Sequence, residues 1–298
     1  MLFADLKAFV AVVECASLTY AAQRLNLTQS AVSRRIQHLE QTLGVELFDR
    51  STRPPRPSAI GRRLYQGAVA LLHDANQLLA IPREESAPSG SFRVGLPQVI
   101  SDIAAFDLVS RMKAAFPGLE LQVITDWSFL LEKRLAQGEF DAAALMRPSP
   151  SRLPGGFAGE KLGSFEVLVV QSRRQPLSEP STCLARLAER EWVLNPAGCG
   201  YRDALVAAIE AKGKRLRLGI DTHGTAIQMR MVASGLGLGL IPRHFMDDSP
   251  LAQALSVVEV SDFSLRMDIW QVISGQPGNL RQACDLLAQA VREGLERG

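Results

Sequence analysis

Between Tyr20 and Gly44 two helical patterns of unequal length stand end to end, with only Leu27 and Thr28 between them. So short a turn forces the second helix to cross the first at close range. The first pattern, Tyr20 to Asn26, carries Ala21, Ala22 and Leu25, and the small alanines permit that approach. The second runs from Gln29 to about Leu43, with Val32, Ile36, Leu39 and Leu43 at helical spacing on the inward face. Thr28 is placed to cap its start and Gly44 to end it. Ahead of both, Leu2, Leu6, Phe9 and Val13 step by four, three and four along one face of a further helix. Ser17-Leu18-Thr19 breaks that helix, and Thr19 is expected to N-cap the next.

The outward face of the longer helix opens with Gln29, Ser30, Ser33, Arg34 and Gln37, behind Thr28. The first turns of a recognition helix enter the major groove. There Arg can grip guanine and Gln adenine bidentately, while Ser and backbone N–H groups hold phosphates. Any solvated helix face is polar; what distinguishes this one is the complete unit of short helix, tight turn and longer helix around it. Charge agrees. Residues 1–66 hold nine basic and five acidic side chains, a balance of +4 in a chain of net +2, so the remainder sums to −2. A basic block on a near-neutral body points to a polyanion partner for that block. Beyond Gly44, alternating Val45 and Leu47 fit a short strand, and the Pro- and Arg-rich stretch around Arg50 and Arg53 fits a stiff wing beside a duplex.

The run AAQRLNLTQSAVSRRIQHLEQTLGVELFDR resembles the helix-turn-helix of LysR-type transcriptional regulators in type and spacing. The wing departs from that family: in PPRPSAIG, Pro57-Ser58 stands where a Leu-Thr pair is usual, although Ser58 can still cap the helix that follows. The resemblance implies a winged helix-turn-helix over residues 1–58. Its expected DNA-binding set is Thr28, Gln29, Ser30, Ser33, Arg34, Gln37, Arg50 and Arg53.

Ser58 opens a helical pattern to about Ile81, in which Leu64, Ala68, Leu71, Ala75 and Leu78 follow coiled-coil spacing. About three heptads is short for an isolated coiled coil. The pattern alone leaves open a helix packed on its own chain; the resemblance favours a dimerisation helix. Pro82 to Ser91 then reads as a hinge, giving a linker over 59–90.

From Ser91 strands and helices alternate, which argues a parallel α/β sheet. AAFPGLELQV, LAQGEFDAAAL and MVASGLGLGLIP resemble the effector-binding domain of the same regulators, itself similar to periplasmic binding proteins. The resemblance implies two α/β lobes in 91–298 with two crossovers, one lobe at 91–161 and 266–298, the other at 162–265. The fold class expected is therefore α+β multidomain: winged helix-turn-helix, linker helix, two-lobed α/β effector domain.

Other functions find little support. With 47% hydrophobic and 21% charged residues the chain reads as an ordinary soluble protein, and no apolar run approaches the roughly 20 residues a bilayer requires. Asp5, Lys7 and Glu14 interrupt the apolar start, which argues against a leader and for a cytoplasmic protein. Cys15, Cys183, Cys199 and Cys284 are scattered, with neither metal-site nor disulfide spacing. Redox sensing through Cys199 is set aside, because redox-sensing relatives use two cysteines close in sequence. Gly235-Leu-Gly-Leu-Gly239 lies in the order helix, glycines, strand, the reverse of a dinucleotide loop. No catalytic motif is present and the four histidines are far apart in sequence, so no enzyme, no cofactor and no metal are expected. A transport-type solute-binding protein would suit the C-terminal half alone, not the N-terminal unit.

Ligands of open α/β sheets lie beyond the carboxyl ends of strands. That rule points to Pro97–Asp102, Thr125–Ser128, Met146-Arg147, Asn195–Arg202 and Asp221–Gly224, and amides near Ser101 are expected to be free for an anion. The expected effector-binding set is Pro97, Gln98, Ser101, Trp127, Arg147, Tyr201, Thr222 and His223, suited to a small carboxylate with an apolar or aromatic part. For Arg147, Trp127 and Tyr201 the alternatives are a solvated loop arginine and ordinary lobe packing. The partners implied are double-stranded operator DNA, a small-molecule effector, RNA polymerase as a contact open to such a regulator, and further copies of the chain in a homodimer or homotetramer.

Overall fold

The structure is a computed structural model that describes residues 2–49, 51, 54–80, 86–153 and 157–297. The chain divides into two compact units, Met1–Glu85 with Arg134–Glu139, and Ser86–Lys133 with Phe140–Gly298.

The N-terminal unit contains α1 (Leu2–Cys15), α2 (Leu18–Arg24), α3 (Gln29–Leu43), β1 (Phe48–Asp49), β2 (Arg56–Pro57) and α4 (Ala59–Ala80). Its core gathers Leu6, Phe9 and Val12 of α1, Ala21 and Ala22 of α2, and Val32, Ile36 and Leu39 of α3. Phe9 meets Phe48 edge-on with ring centroids 5.5 Å apart, which ties the core to the wing. Each such buried Leu, Val or Phe contributes on the order of 1.5–3 kcal/mol, which is why the tight turn between α2 and α3 can be held.

Local chemistry sets the helix ends. Thr28 Oγ1 accepts from the Ala31 amide at 3.2 Å, and Gly44 ends α3 with φ +66°, both as the sequence predicts. The cap of α2 differs. Ser17, not Thr19, is the N-cap, its hydroxyl accepting from the Tyr20 amide at 3.3 Å. Ala16 at φ +47° turns the chain just before it, so α2 starts at Leu18 and ends at Arg24 rather than Asn26. Leu43 also differs: it is exposed, and Glu40 takes the inward position. The Glu40 carboxylate accepts from the amides of Leu47 at 2.7 Å and Phe48 at 3.4 Å. The returning chain needs an acceptor there, and a leucine offers none.

The short strand lies at Phe48–Asp49, antiparallel to Arg56–Pro57, rather than over Val45 and Leu47. Ser58 caps α4 through the Gly61 amide at 3.0 Å. A Cβ on Gly61 would stand 2.1 Å from the Leu47 carbonyl oxygen, so only glycine lets the first turn of α4 lie this close to the wing backbone. Arg50 and Arg53, Ile81 at the expected end of the linker helix, and residues 82–85 of the expected hinge lie outside the described residues. In α4 the proposed seam divides: Ala68 is buried in the helix-turn-helix core and Leu64 packs against it, while Leu71 and Leu78 are exposed with Ile60 and Leu79.

The C-terminal unit runs through β3 (Gly90–Leu96), α5 (Gln98–Ala115), β4 (Leu119–Thr125), α6 (Ser128–Ala136), β5 (Ala142–Pro148) and β6 (Ala158–Ser172). It continues through β7 (Ser181–Thr182), α7 (Leu184–Leu187), β8 (Glu191–Leu194), α8 (Gly200–Glu210), β9 (Arg217–Asp221), α9 (Thr225–Ala233) and β10 (Gly239–Pro242). It closes with α10 (Arg243–Asp248), β11 (Leu255–Val257), β12 (Glu259–Val260), β13 (Leu265–Ile273) and α11 (Arg281–Arg297).

The main sheet has the order β10-β6-β13-β5-β3-β4, with β11 also on β6. It is mixed rather than parallel. β3 pairs parallel with β4 and β5, but β13 lies antiparallel to both β5 and β6, and β6 antiparallel to β10 and β11. The reason is the two long strands: β6 pairs with β13 along its first part and with β10 and β11 along its last, so together they carry the sheet from one half of the unit to the other. β8 and β9 form a separate parallel pair in the second half. In the first half Phe92, Val94 and Leu96 of β3 share a core with Ile100, Leu108 and Met112 of α5 and Leu287 and Val291 of α11.

Candidate functional site

On α3, Gln29, Ser30, Arg34 and Gln37 are exposed and Ser33 is half-buried. They occupy the N-terminal part of the helix, opposite Val32, Ile36 and Leu39. Thr28 lies within the same end, its hydroxyl 3.1 Å from Ser30 Oγ, and Thr19 Oγ1 donates to Gln29 Oε1 at 3.5 Å. The helix therefore presents guanidinium, amide and hydroxyl groups at one end and is pinned by its apolar back, the arrangement a groove-reading helix requires. Behind it, His38 Nδ1 lies 2.9 Å from the buried Asp5 carboxylate, tying α3 to α1.

In the C-terminal unit the first half supplies a rigid turn. The Asp126 amide donates to the Leu96 carbonyl at 3.2 Å, and Ser128 Oγ accepts from the Met146 amide at 2.9 Å. The second half supplies two loops bound to one another. Asn195 Oδ1 accepts from the Gly224 amide at 3.2 Å and the Thr222 amide donates to the Leu194 carbonyl at 2.9 Å. Arg202 donates to both the Asn195 carbonyl and Asp221 Oδ2, each at 3.1 Å.

The turn meets those loops. Trp127 and His223 face each other with ring centroids 5.3 Å apart and planes 44° apart. Thr125 Oγ1 donates to Ser101 Oγ at 3.3 Å nearby in the first half. Other expected site residues are committed elsewhere. Gln98 Nε2 donates to Asp102 Oδ1 at 2.6 Å; burial pushes the Asp102 carboxyl above its usual range, against the pull of that bond. Arg147 is paired with Glu132 at 2.6 Å. Tyr201 is only 3% exposed, edge-on to Phe165, with its hydroxyl 3.8 Å from Met146 Sδ, and burial pushes its pKa well up. Its flat surface is thus taken up by packing.

The expected anion position also shifts. α5 begins at Gln98, inside the stretch Pro97–Asp102 expected to be a loop, and the Ser101 amide is bound to the Pro97 carbonyl at 2.8 Å. Pro97 is the N-cap and no side chain caps the helix, so the amides at the helix start, those of residues 98–100, are the ones available to an anion. Phe129 lies just outside the expected stretch Thr125–Ser128, and Gly198 lies inside Asn195–Arg202 but outside the expected residue set. A Cβ on Gly198 would stand 2.5 Å from the Phe129 ring, so that ring sits directly on the loop before α8. The sequence signal for Phe129 is an aromatic two positions after Trp127, but its seat is a glycine with no pattern of its own.

Cys199 is buried; burial pushes its thiol up, and bonds from the Arg202 and Tyr201 amides do not offset this. Such a thiol is a poor nucleophile. Among the described residues no cluster of His, Cys, Asp or Glu could hold a metal ion, and no helix is long and apolar enough to cross a membrane. A separate open concavity of about 550 Å³ lies beside the end of β6, lined by Gln171, Arg173, Leu177, Pro180, Arg190 and Ser256 among others.

A helix-turn-helix with an exposed polar helix face on one unit, and a mixed α/β unit whose two parts meet at Trp127 and His223 on the other, fit the class of DNA-binding proteins that carry a second, ligand-binding domain. Comparison with known families agrees. The model for bacterial regulatory helix-turn-helix proteins of the lysR family matches residues 3–62, and that for the LysR substrate binding domain matches 85–296. The chain belongs to the LysR family of DNA-binding transcriptional regulators, with an effector-binding domain. It is 30% identical to the HTH-type transcriptional regulator IlvR of Caulobacter vibrioides, over 78% of this chain and 80% of that protein. It is 27% identical to a probable hydrogen peroxide-inducible genes activator of Mycobacterium leprae, over 97% and 94%. Among solved structures, full-length OxyR C199D from Pseudomonas aeruginosa is similar with a TM-score of 0.72 at 20% identity, covering 98% of this chain and 94% of that one. CbnR complexed with its target DNA gives 0.61 at 19%, covering 97% and 100%.

Proposed function

We propose that this chain is a cytoplasmic regulator, a homodimer or homotetramer, that reads operator DNA with the N-terminal end of α3 and responds to a small carboxylate bearing an apolar or aromatic part. The exposure of Gln29, Ser30, Arg34 and Gln37 on a helix anchored by its opposite face carries the DNA reading. CbnR, which has this fold, is known bound to its target DNA. For the effector, the uncapped start of α5 favours an anion and the Trp127–His223 pair a flat or apolar body. Ser101, Trp127, Thr222 and His223 form the core of that site. Arg147 joins it when an incoming carboxylate competes with Glu132. A thermal-shift screen of the full chain against metabolite acids tests this, because ligand binding to the folded state raises its stability. With the hit in hand, Ser101→Ala, Trp127→Ala and Thr222→Ala should each weaken binding in calorimetry. Normal binding by all three would move the site out of the cleft, and the concavity beside Arg173 and Arg190 would be the next place to look.

A further inference from the structure

Two aromatic side chains, separated by Ser128 alone, leave the first half of the C-terminal unit and rest on the second. Trp127 meets His223, and Phe129 covers Gly198. Both ends are stiff. Trp127 and Phe129 flank Ser128 at the start of α6, where the Leu131 amide donates to the Trp127 carbonyl at 2.9 Å and Ser128 Oγ holds the Met146 amide. Gly198 and His223 belong to loops joined through Asn195, Arg202 and Asp221. The halves are also joined by β6 and β13, whose pairing is irregular at Ile269/Trp270, and by a shared core in which Tyr201 lies edge-on to Phe165 with its hydroxyl 3.8 Å from Met146 Sδ. Two long strands with an irregularity can bend, and the two ring contacts add a restraint on that bend.

We propose that Trp127 and Phe129 form a two-point latch, seated on His223 and Gly198, that holds the cleft closed in the effector-free protein and sets which effectors can enter. This rests on the cleft being the effector site for its consequence, but not for its geometry. The seat selects its residues. A Cβ at 198 would stand 2.5 Å from the Phe129 ring where it now lies, so the ring would have to move, and Gly198 also has φ +91°, a conformation other residues adopt with strain. An effector must part both contacts, and the energy it spends there is lost from its affinity, so the latch discriminates against ligands that cannot replace a ring contact.

Hydrogen exchange of the full-length, effector-free protein tests the latch. Trp127→Ala combined with Phe129→Ala should speed exchange in 195–200 and 221–224 by about tenfold or more, with α1–α3 unchanged. Unchanged protection in those loops overturns the proposal, and so does equal loss throughout the C-terminal unit, which would report general destabilisation. Gly198→Ala separates the seat from backbone strain. If Phe129 sits on Gly198, the effect of Gly198→Ala should shrink in a Phe129→Ala background to the part left by strain at φ +91°. If it is the same in both backgrounds, strain alone acts and the seat is refuted. None of these measurements needs an effector, so an effector found elsewhere would sink the cleft assignment while leaving the latch standing.

Discussion

Glu40 Oε1 accepts the Leu47 amide at 2.7 Å, so the last turns of α3 hold the chain that enters the wing. The carboxylate is buried and also takes the Phe48 amide. Glu40→Ala should cost about 2 kcal/mol in urea unfolding, since it leaves buried amides without this acceptor. Glu40→Gln keeps one acceptor oxygen and should cost less. Operator affinity should fall in parallel, because the wing then loses its attachment to the helix. A variant as stable as the parent would remove this role from Glu40.

Arg34 and Gln29 stand exposed toward the N-terminal end of α3. Arg34→Ala and Gln29→Ala should each lose about 1–3 kcal/mol at the cognate operator and relax base preference at one position. Competition titrations at fixed salt measure this. Affinity for random DNA should change far less; equal losses on both would mean phosphate rather than base contacts.

Leu71 and Leu78 are 46% and 69% exposed along α4. In an assembled regulator they are expected to be covered by a second copy. Aspartate at both positions would place charge in that seam, and light scattering should then report smaller particles. Full assembly of the double variant would put the seam elsewhere on the chain.

Asp268, 1% exposed, is held by Lys161 at 2.7 Å and by the Ser151 amide and hydroxyl, both at 3.1 Å, within the strands that join the two halves. Burial raises its pKa, but these partners outweigh it and leave the carboxyl below its usual range. A group depressed in the folded state stabilises fully above the ordinary aspartate value of about 3.9, and that stability is lost as pH falls through the native value. Asp268→Asn should therefore lower stability by on the order of 2 kcal/mol at pH 7 and flatten the acid limb of the pH–stability curve below about pH 4. Thermal melts from pH 7 to 2.5 would show whether the two proteins converge at low pH.

Local signals were enough for much of the N-terminal unit. The α3 limits, the Thr28 cap and the Gly44 terminus depend on periodicity and on hydrogen bonds spanning three or four residues, all written in adjacent letters. The alternation of elements after Ser91 was legible for the same reason, but Met146-Arg147, expected beyond a strand end, lie within β5, and Gln98–Asp102 lie within α5. What sequence could not decide were choices made by distant partners. Glu40 rather than Leu43 faces inward because amides several residues on require an acceptor. Ala68 turns from the expected seam into the core because α1–α3 present apolar surface to it. β13 runs antiparallel because it pairs with a strand more than a hundred positions earlier, and periodicity carries no strand direction. Tyr201, for which the sequence allows either a ligand wall or lobe packing, is buried against Phe165, whereas Phe129, outside the expected set, rests on Gly198. Burial and ring contact are properties of surfaces that meet only after folding, so tertiary structure alone brought Trp127 to His223.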